Sequence, residues 1–170
     1  KRNVSADDSL MKRKNVVIIL MESMAAGKMD CYGQYKKIHP YGNSLPLTPF
    51  LDSLSEYSLF FSNTYSCGMH TFNGIYSLIT GMPAIYNTHM LRGKYFKKYN
   101  GLPAILKNKG YKTFYFTTHD EQFDNVAGFL HLNDIEKIYS EKDYPAKERL
   151  STLGIPDHLL FNHAIDILNK

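Results

Sequence analysis

The chain predicts an α/β fold, a mostly parallel sheet with helices on both faces, on three observations. Asn15-Val-Val-Ile-Ile-Leu-Met21 is an apolar, β-branched run bounded by charge, the pattern of a strand buried on both faces. Strand-like and helix-like stretches then alternate along the chain, which argues for helices packed on a sheet. The 170 residues, 44% apolar and 21% charged, suit one domain with a sizeable core and exclude disorder and low complexity.

Taken in order, residues 1–14 form a basic lead-in ending in Lys12-Arg13-Lys14, followed by the first strand. That strand ends at Glu22-Ser23, where open α/β sheets place their chemistry, and Ala25-Ala26-Gly27 follow as a permissive turn. Residues 30–47 hold Gly, Pro, Tyr, Asn and Ser without period and read as a loop. Thr48-Pro49 is a helix start, with Phe50, Leu51 and Leu54 on one side. The aromatic run 58–65 reads as a strand, and Thr71 to Thr80 as a helix turning Ile75, Leu78 and Ile79 inward before Gly81 and Pro83 end it. A short helix covers 101–109 and closes at Gly110, and 111–117 alternates aromatic and polar residues as a strand does. Residues 121–130 are expected to be helical, 135–139 to form a short strand, and 156–169 an amphipathic helix with Leu160, Ala164, Ile167 and Leu168 on one face. No linker and no repeat divides the chain.

The formal charge of +4 comes without an arginine-rich stripe or an aromatic RNA-binding signature, so no nucleic-acid partner is expected. Cys31 and Cys67 sit in neither a CxxC nor a zinc spacing and read as free thiols. No apolar run approaches the roughly 18 residues of a membrane span. The chain starts at Lys1 without methionine, and the expectation is an excised piece whose targeting segment, if any, lies upstream. GxSxG, GxxxxGK[ST] and GxGxxG patterns are absent, and the seven histidines show no HExxH; His70 and His119 adjoin candidate loops.

Two places can carry chemistry. Glu22 follows the first strand and is either a metal-binding carboxylate or a solvated turn residue. Ser66-Cys-Gly-Met-His-Thr71-Phe-Asn-Gly74 runs through a glycine turn into a helix whose first residue is a hydroxyl. A helix amino end suits an anionic group such as phosphate or sulfate. Thr71 is either the nucleophile, its hydroxyl activated by a metal ion, or a helix cap.

These stretches, with Leu47-Thr-Pro-Phe-Leu-Asp-Ser-Leu54, Phe60-Phe-Ser-Asn-Thr-Tyr65, Ser77-Leu-Ile-Thr-Gly-Met-Pro83, Gly110-Tyr-Lys-Thr-Phe-Tyr-Phe116 and His119-Asp120-Glu-Gln-Phe123-Asp124-Asn125, resemble the sulfatase-like branch of the alkaline phosphatase superfamily. Within it they are most similar to the lipoteichoic acid synthase group of membrane-anchored phosphoglycerol transferases. The resemblance runs in order from residue 14 and implies that 15–170 is the amino-terminal half of an alkaline-phosphatase-like catalytic domain, with an incomplete sheet.

By resemblance, Glu22 ligates a divalent metal, manganese first, with magnesium, calcium or zinc as alternatives, and Thr71 is both ligand and nucleophile. His70, Asn73, His119, Asp120, Asp124 and Asn125 are assigned by it to the substrate end of the site. His70 and Asn73 stand where relatives commonly carry basic residues. The Asp-His pair that completes the metal site in relatives comes later in their sequences, so this chain alone is expected to bind metal poorly, to be inactive and to self-associate through uncovered sheet. The implied function is a metal-dependent transferase or hydrolase of phosphate or sulfate esters, phosphoglycerol transferase-like in first place, acting on a phospholipid or glycan ester, outside the cytoplasm, on a protein held in the cell membrane by upstream segments. A sulfatase proper is the alternative, although neither cysteine lies in the CxPxR pattern that yields formylglycine and threonine cannot form that aldehyde. A non-catalytic module binding an anionic lipid or glycan is the reading from a different class.

Overall fold

The computed structural model describes residues 14–33, 46–151 and 154–169. The lead-in through residue 13 and most of the loop expected at 30–47 lie outside those residues. The chain divides into two units, Lys1–Ser62 and Asn63–Lys170. Among the described residues no helix is long and apolar enough to cross a membrane.

In the first unit the helical turns Ala26–Lys28 and Asp30–Tyr32 precede α1 (Pro49–Glu56), which starts at the predicted proline. Asp52 ties these pieces together. Its carboxylate accepts from the Cys31 N–H at 3.0 Å and from the Thr48 hydroxyl at 3.0 Å. Burial would raise the Asp52 pKa, but these hydrogen bonds prevail and hold it below the ordinary range. Tyr32 packs its ring on Phe60 at 5.0 Å.

Two expected strands of this region are absent. Residues 15–21 join no ladder, and Val17 is 65% exposed; residues 58–65 likewise form no strand. A strand is a property of a pair, because its N–H and C=O groups point sideways to a neighbour. The β-branched run reports only that its side chains favour burial, and among the described residues no partner strand is bonded to it. Phe50 and Leu54, two of the apolar residues expected on one side of α1, are exposed.

The second unit matches its pattern closely. It contains α2 (Thr71–Thr80), α3 (Leu102–Asn108), β1 (Phe114–Phe116), α4 (Val126–Leu132), β2 (Lys137–Tyr139) and α5 (Asp157–Leu168). β1 and β2 pair in parallel, Phe114 opposite Lys137 and Phe116 opposite Tyr139, with α4 as the crossover. Of the four strands expected in an incomplete, mostly parallel sheet, two form among the described residues, and most of the secondary structure there is helical. The parallel sense is as expected.

The core joins Ile75, Tyr76 and Ile79 of α2 to Met90, Leu91, Phe129, Leu130 and Ile138. Tyr76, rather than the expected Leu78, takes the buried position beside Ile75 and Ile79. Asn133, just past α4, is fully buried and satisfied: its carbonyl oxygen accepts from the Tyr99 N–H at 2.7 Å, and its amide donates to Lys97 O at 3.2 Å and Phe129 O at 2.9 Å. Glu121 is nearly buried beneath Ser140 and Lys142, both of which hydrogen-bond to its carboxylate.

Candidate active site

The site is built on the amino end of α2. His70 is the residue that caps the helix, with extended backbone (φ −114°, ψ 147°), and Thr71 is the first helical residue. Thr71 is thus not the cap, and its side chain is exposed. Gly68 makes the approach to the helix: its φ is +137°, and a Cβ there would lie 2.5 Å from Asn73 Nδ2. No side chain fits between the 66–69 turn and Asn73, so only glycine serves. Asn73 is 6% exposed, and its Oδ1 is buried without a hydrogen-bond partner.

Beside this turn lies a cavity of about 510 Å³, lined on one side by His70, Phe72 and Asn73 and on the other by residues 84–89. Three rings form a ladder along it. His70 stacks on Phe72 at 5.0 Å and 11°, and Phe72 on His89 at 4.1 Å and 12°. His89 Nε2 lies 3.2 Å from Asp124 Oδ1, and Arg92 Nη2 lies 3.6 Å from the same oxygen.

Asp124 and Asn125 reach this loop because both adopt left-handed backbone, φ 54° and 62°. Asp and Asn tolerate that region better than other side-chain-bearing residues, at some cost in strain. The Asn125 amide donates to Leu91 O at 2.7 Å. The two consecutive residues therefore clamp the 89–92 segment, one by its histidine and arginine and the other by its backbone.

Of the residues expected at the substrate end, His70 and Asn73 line the cavity, and Asp124 joins it through His89. His119 does not line it; its Nδ1 lies 3.1 Å from Thr117 Oγ1 and its ring meets Phe123 edge-on. Asp120 accepts from the Gln122 N–H at 2.9 Å, a turn-forming bond, and lies outside the lining too. Glu22 belongs to the first unit, exposed and next to Ser23, whose hydroxyl is 3.5 Å from Glu22 Oε1. His89 and Arg92 were not singled out by their sequence. Their signal is the contact with Asp124, 35 residues from His89, which no local pattern carries.

A family model described as Sulfatase matches residues 14–170. The chain belongs to the sulfatase family. It is also similar to a solved structure, a protein in the alkaline phosphatase superfamily from Vibrio parahaemolyticus, at 30% identity and a TM-score of 0.79. That match covers 93% of this chain and 36% of the other, so this sulfatase-family chain spans about a third of that structure. The sulfatases are a family of enzymes, and their superfamily is typically metal-dependent.

Glu22, in the first unit, carries a carboxylate and Thr71, in the second, a hydroxyl, each a hard oxygen of the type that suits a hard divalent cation. Among the described residues no three His, Cys, Asp or Glu side chains form a group able to hold a metal ion.

Proposed function

We propose that this sulfatase-family chain is the amino-terminal half of a catalytic domain that transfers or hydrolyses phosphate esters, with Thr71 as nucleophile. The observation that supports it is the place of Thr71: exposed, on the first residue of α2, next to the residues that line the cavity. Phosphoester transfer needs a hydroxyl presented at a site that favours negative charge, and the positive end of a helix dipole supplies part of that.

In this reading the Thr71 oxygen bonds to phosphorus as the bond to the leaving alcohol breaks. The leaving oxygen departs with the electron pair and gains, directly or through solvent, the proton that the Thr71 hydroxyl gives up, so it is released as the alcohol. A second alcohol, or water, then bonds to phosphorus and releases Thr71. By the family resemblance Glu22 and Thr71 would be among the ligands of a divalent cation, manganese in first place, with further ligands needed to complete its shell. When bound, that ion supplies the charge that lowers the hydroxyl pKa. His70 and Asn73 face the substrate. His119, Asp120 and Asn125 are assigned the surrounding of that end, Asn125 by fixing the 89–92 segment.

The substrate proposed is a phospholipid or glycan ester, nearest in kind to that of a phosphoglycerol transferase, met outside the cytoplasm at the cell membrane. Sulfate-ester hydrolysis is second, because Thr71, and no cysteine, opens α2. The test is intact-mass spectrometry of the full-length protein with manganese and a chromogenic phosphodiester. A covalent adduct in the wild type that is lost in Thr71→Ala supports the assignment. Turnover retained in Thr71→Ala refutes it, and turnover confined to sulfate esters moves the function to the second reading. Binding of anionic lipid or glycan with no turnover of either ester leaves a non-catalytic module.

A further inference from the structure

Exposed apolar side chains gather at the mouth of the cavity beside α2. Met69 stands on one wall, 81% exposed, and Ile85 and Tyr86 stand on the other, 48% and 79% exposed. The lining contains no lysine, arginine, aspartate or glutamate. Single apolar residues on a surface are ordinary, but several around one opening mark a contact site.

The charge beside this mouth has one sign. Residues 57–119 hold seven lysines and arginines and no aspartate or glutamate. Arg92 is tied to the cavity wall, because its Nη2 and His89 Nε2 lie 3.6 Å and 3.2 Å from the same oxygen of Asp124. Lys94 follows in the exposed helical turn Gly93–Tyr95, its ammonium 5.2 Å over the Tyr95 ring, and makes no ion pair among the described residues.

These two features together select the partner. A second copy of this chain, meeting the same face, would set cation against cation. A bilayer that contains anionic lipid offers acyl chains to the apolar side chains and phosphate to the cations. Tyrosine suits the boundary between the two, with an apolar ring and a polar tip, and methionine adapts to irregular apolar surroundings.

We propose that the mouth of the cavity is a lipid-contact face, with Met69, Ile85 and Tyr86 entering the acyl boundary of an anionic bilayer and Arg92 and Lys94 meeting its headgroups. The contact rests on the cell-membrane setting of the reading above and not on its chemistry. Thr71 takes no part in it and the test reads no turnover, so failure of either leaves the other standing.

The test uses full-length Tyr86→Trp protein with vesicles of phosphatidylcholine, alone or with an equal share of phosphatidylserine, their acyl chains plain or brominated. The wild-type spectrum is subtracted; this chain has no tryptophan of its own. With phosphatidylserine the introduced indole is expected to shift its emission to shorter wavelength and to be quenched by the brominated chains. Lys94→Gln in the same background raises the anionic lipid needed for half the effect by about fivefold, the worth of one cation at such a surface. Met69→Trp reports from the opposite wall and decides the matter if Tyr86→Trp does not fold. An indole that stays in water at every lipid composition overturns the proposal, and so does quenching that phosphatidylserine leaves unchanged. Short-wavelength emission without lipid means that the rest of the chain covers the face, and emission that follows protein concentration means that a second copy does. Either result also overturns it.

Discussion

Replacing Asn133 with leucine should cost about 3 kcal/mol of folding stability, and the figure can be built bond by bond. Asn133 makes three side-chain hydrogen bonds, to Tyr99 N, Lys97 O and Phe129 O. Phe129 O keeps a partner, because the Asn133 backbone N–H also donates to it at 3.1 Å. The substitution therefore takes the partner from two part-buried groups, the Tyr99 N–H and Lys97 O, beside a side chain that is 2% exposed. Each such loss lies toward the low end of the range for unpaired groups, about 1.5 kcal/mol, and leucine returns little because the site is already packed. For a chain of this size the melting temperature should fall by about 6–12 °C, at roughly 2–4 °C per kcal/mol. Asn133→Asp should fare no better: it keeps an acceptor for Tyr99 but turns carboxylate oxygens toward two carbonyls. Urea unfolding followed by circular dichroism gives the stability, and hydrogen exchange at the Tyr99 amide gives the local effect. A loss under about 0.5 kcal/mol with Tyr99 exchange unchanged would refute the argument, since two part-buried groups would then have lost their bonds at almost no cost.

Stability should also depend on acid through Glu121. Burial pushes its pKa up, but the hydrogen bonds from Lys142 and Ser140 prevail and leave it lowered. Its folded pKa then lies below its unfolded one, so its contribution is present at neutral pH and lost as pH falls from about 5 downward. Glu121→Gln should flatten that acid limb in urea midpoints measured across pH; an unchanged slope would contradict the linkage. The two thiols should separate on alkylation. Cys67 is exposed, whereas Cys31 is partly covered and its pKa is raised, first by burial and then by Asp52. Mass-resolved iodoacetamide labelling should therefore modify Cys67 first, and faster labelling of Cys31 would count against the Asp52 contacts described above.

The helices were legible because their limits are written locally. Pro49 opens α1, Gly81 in left-handed backbone closes α2, and Gly101-Leu-Pro103 leads into α3, each a matter of three or four adjacent residues. The β1–α4–β2 crossover was legible from its alternation and apolar content. Residues 15–21 and 58–65 read as strands and are not, because composition reports a liking for burial while a ladder needs a second chain segment at the right distance. The same division holds at the candidate site. The turn into Thr71 is a local feature and stands out in the sequence, glycine, hydroxyl and all. The Asp124 contacts with His89 and Arg92 exist only once α4 and the 84–92 segment have packed, so nothing near His89 marks it from the other histidines.

The chain leaves α2 at Gly81, the end remote from Thr71, yet residues 84–89 line the cavity with His70, Phe72 and Asn73 at the helix start. Ten helical residues are about 15 Å long, and the segment after Gly81 must retrace that length in fewer than ten steps. Helix and return segment thus make a closed hoop, drawn shut by the Phe72–His89 stack. Like a belt, it has one circumference: a residue inserted or removed anywhere around it must alter the gap at the buckle. Length changes between residues 72 and 89, even at the far bend, are therefore felt at the cavity, whereas the same change between α3 and β1 leaves the hoop as it was.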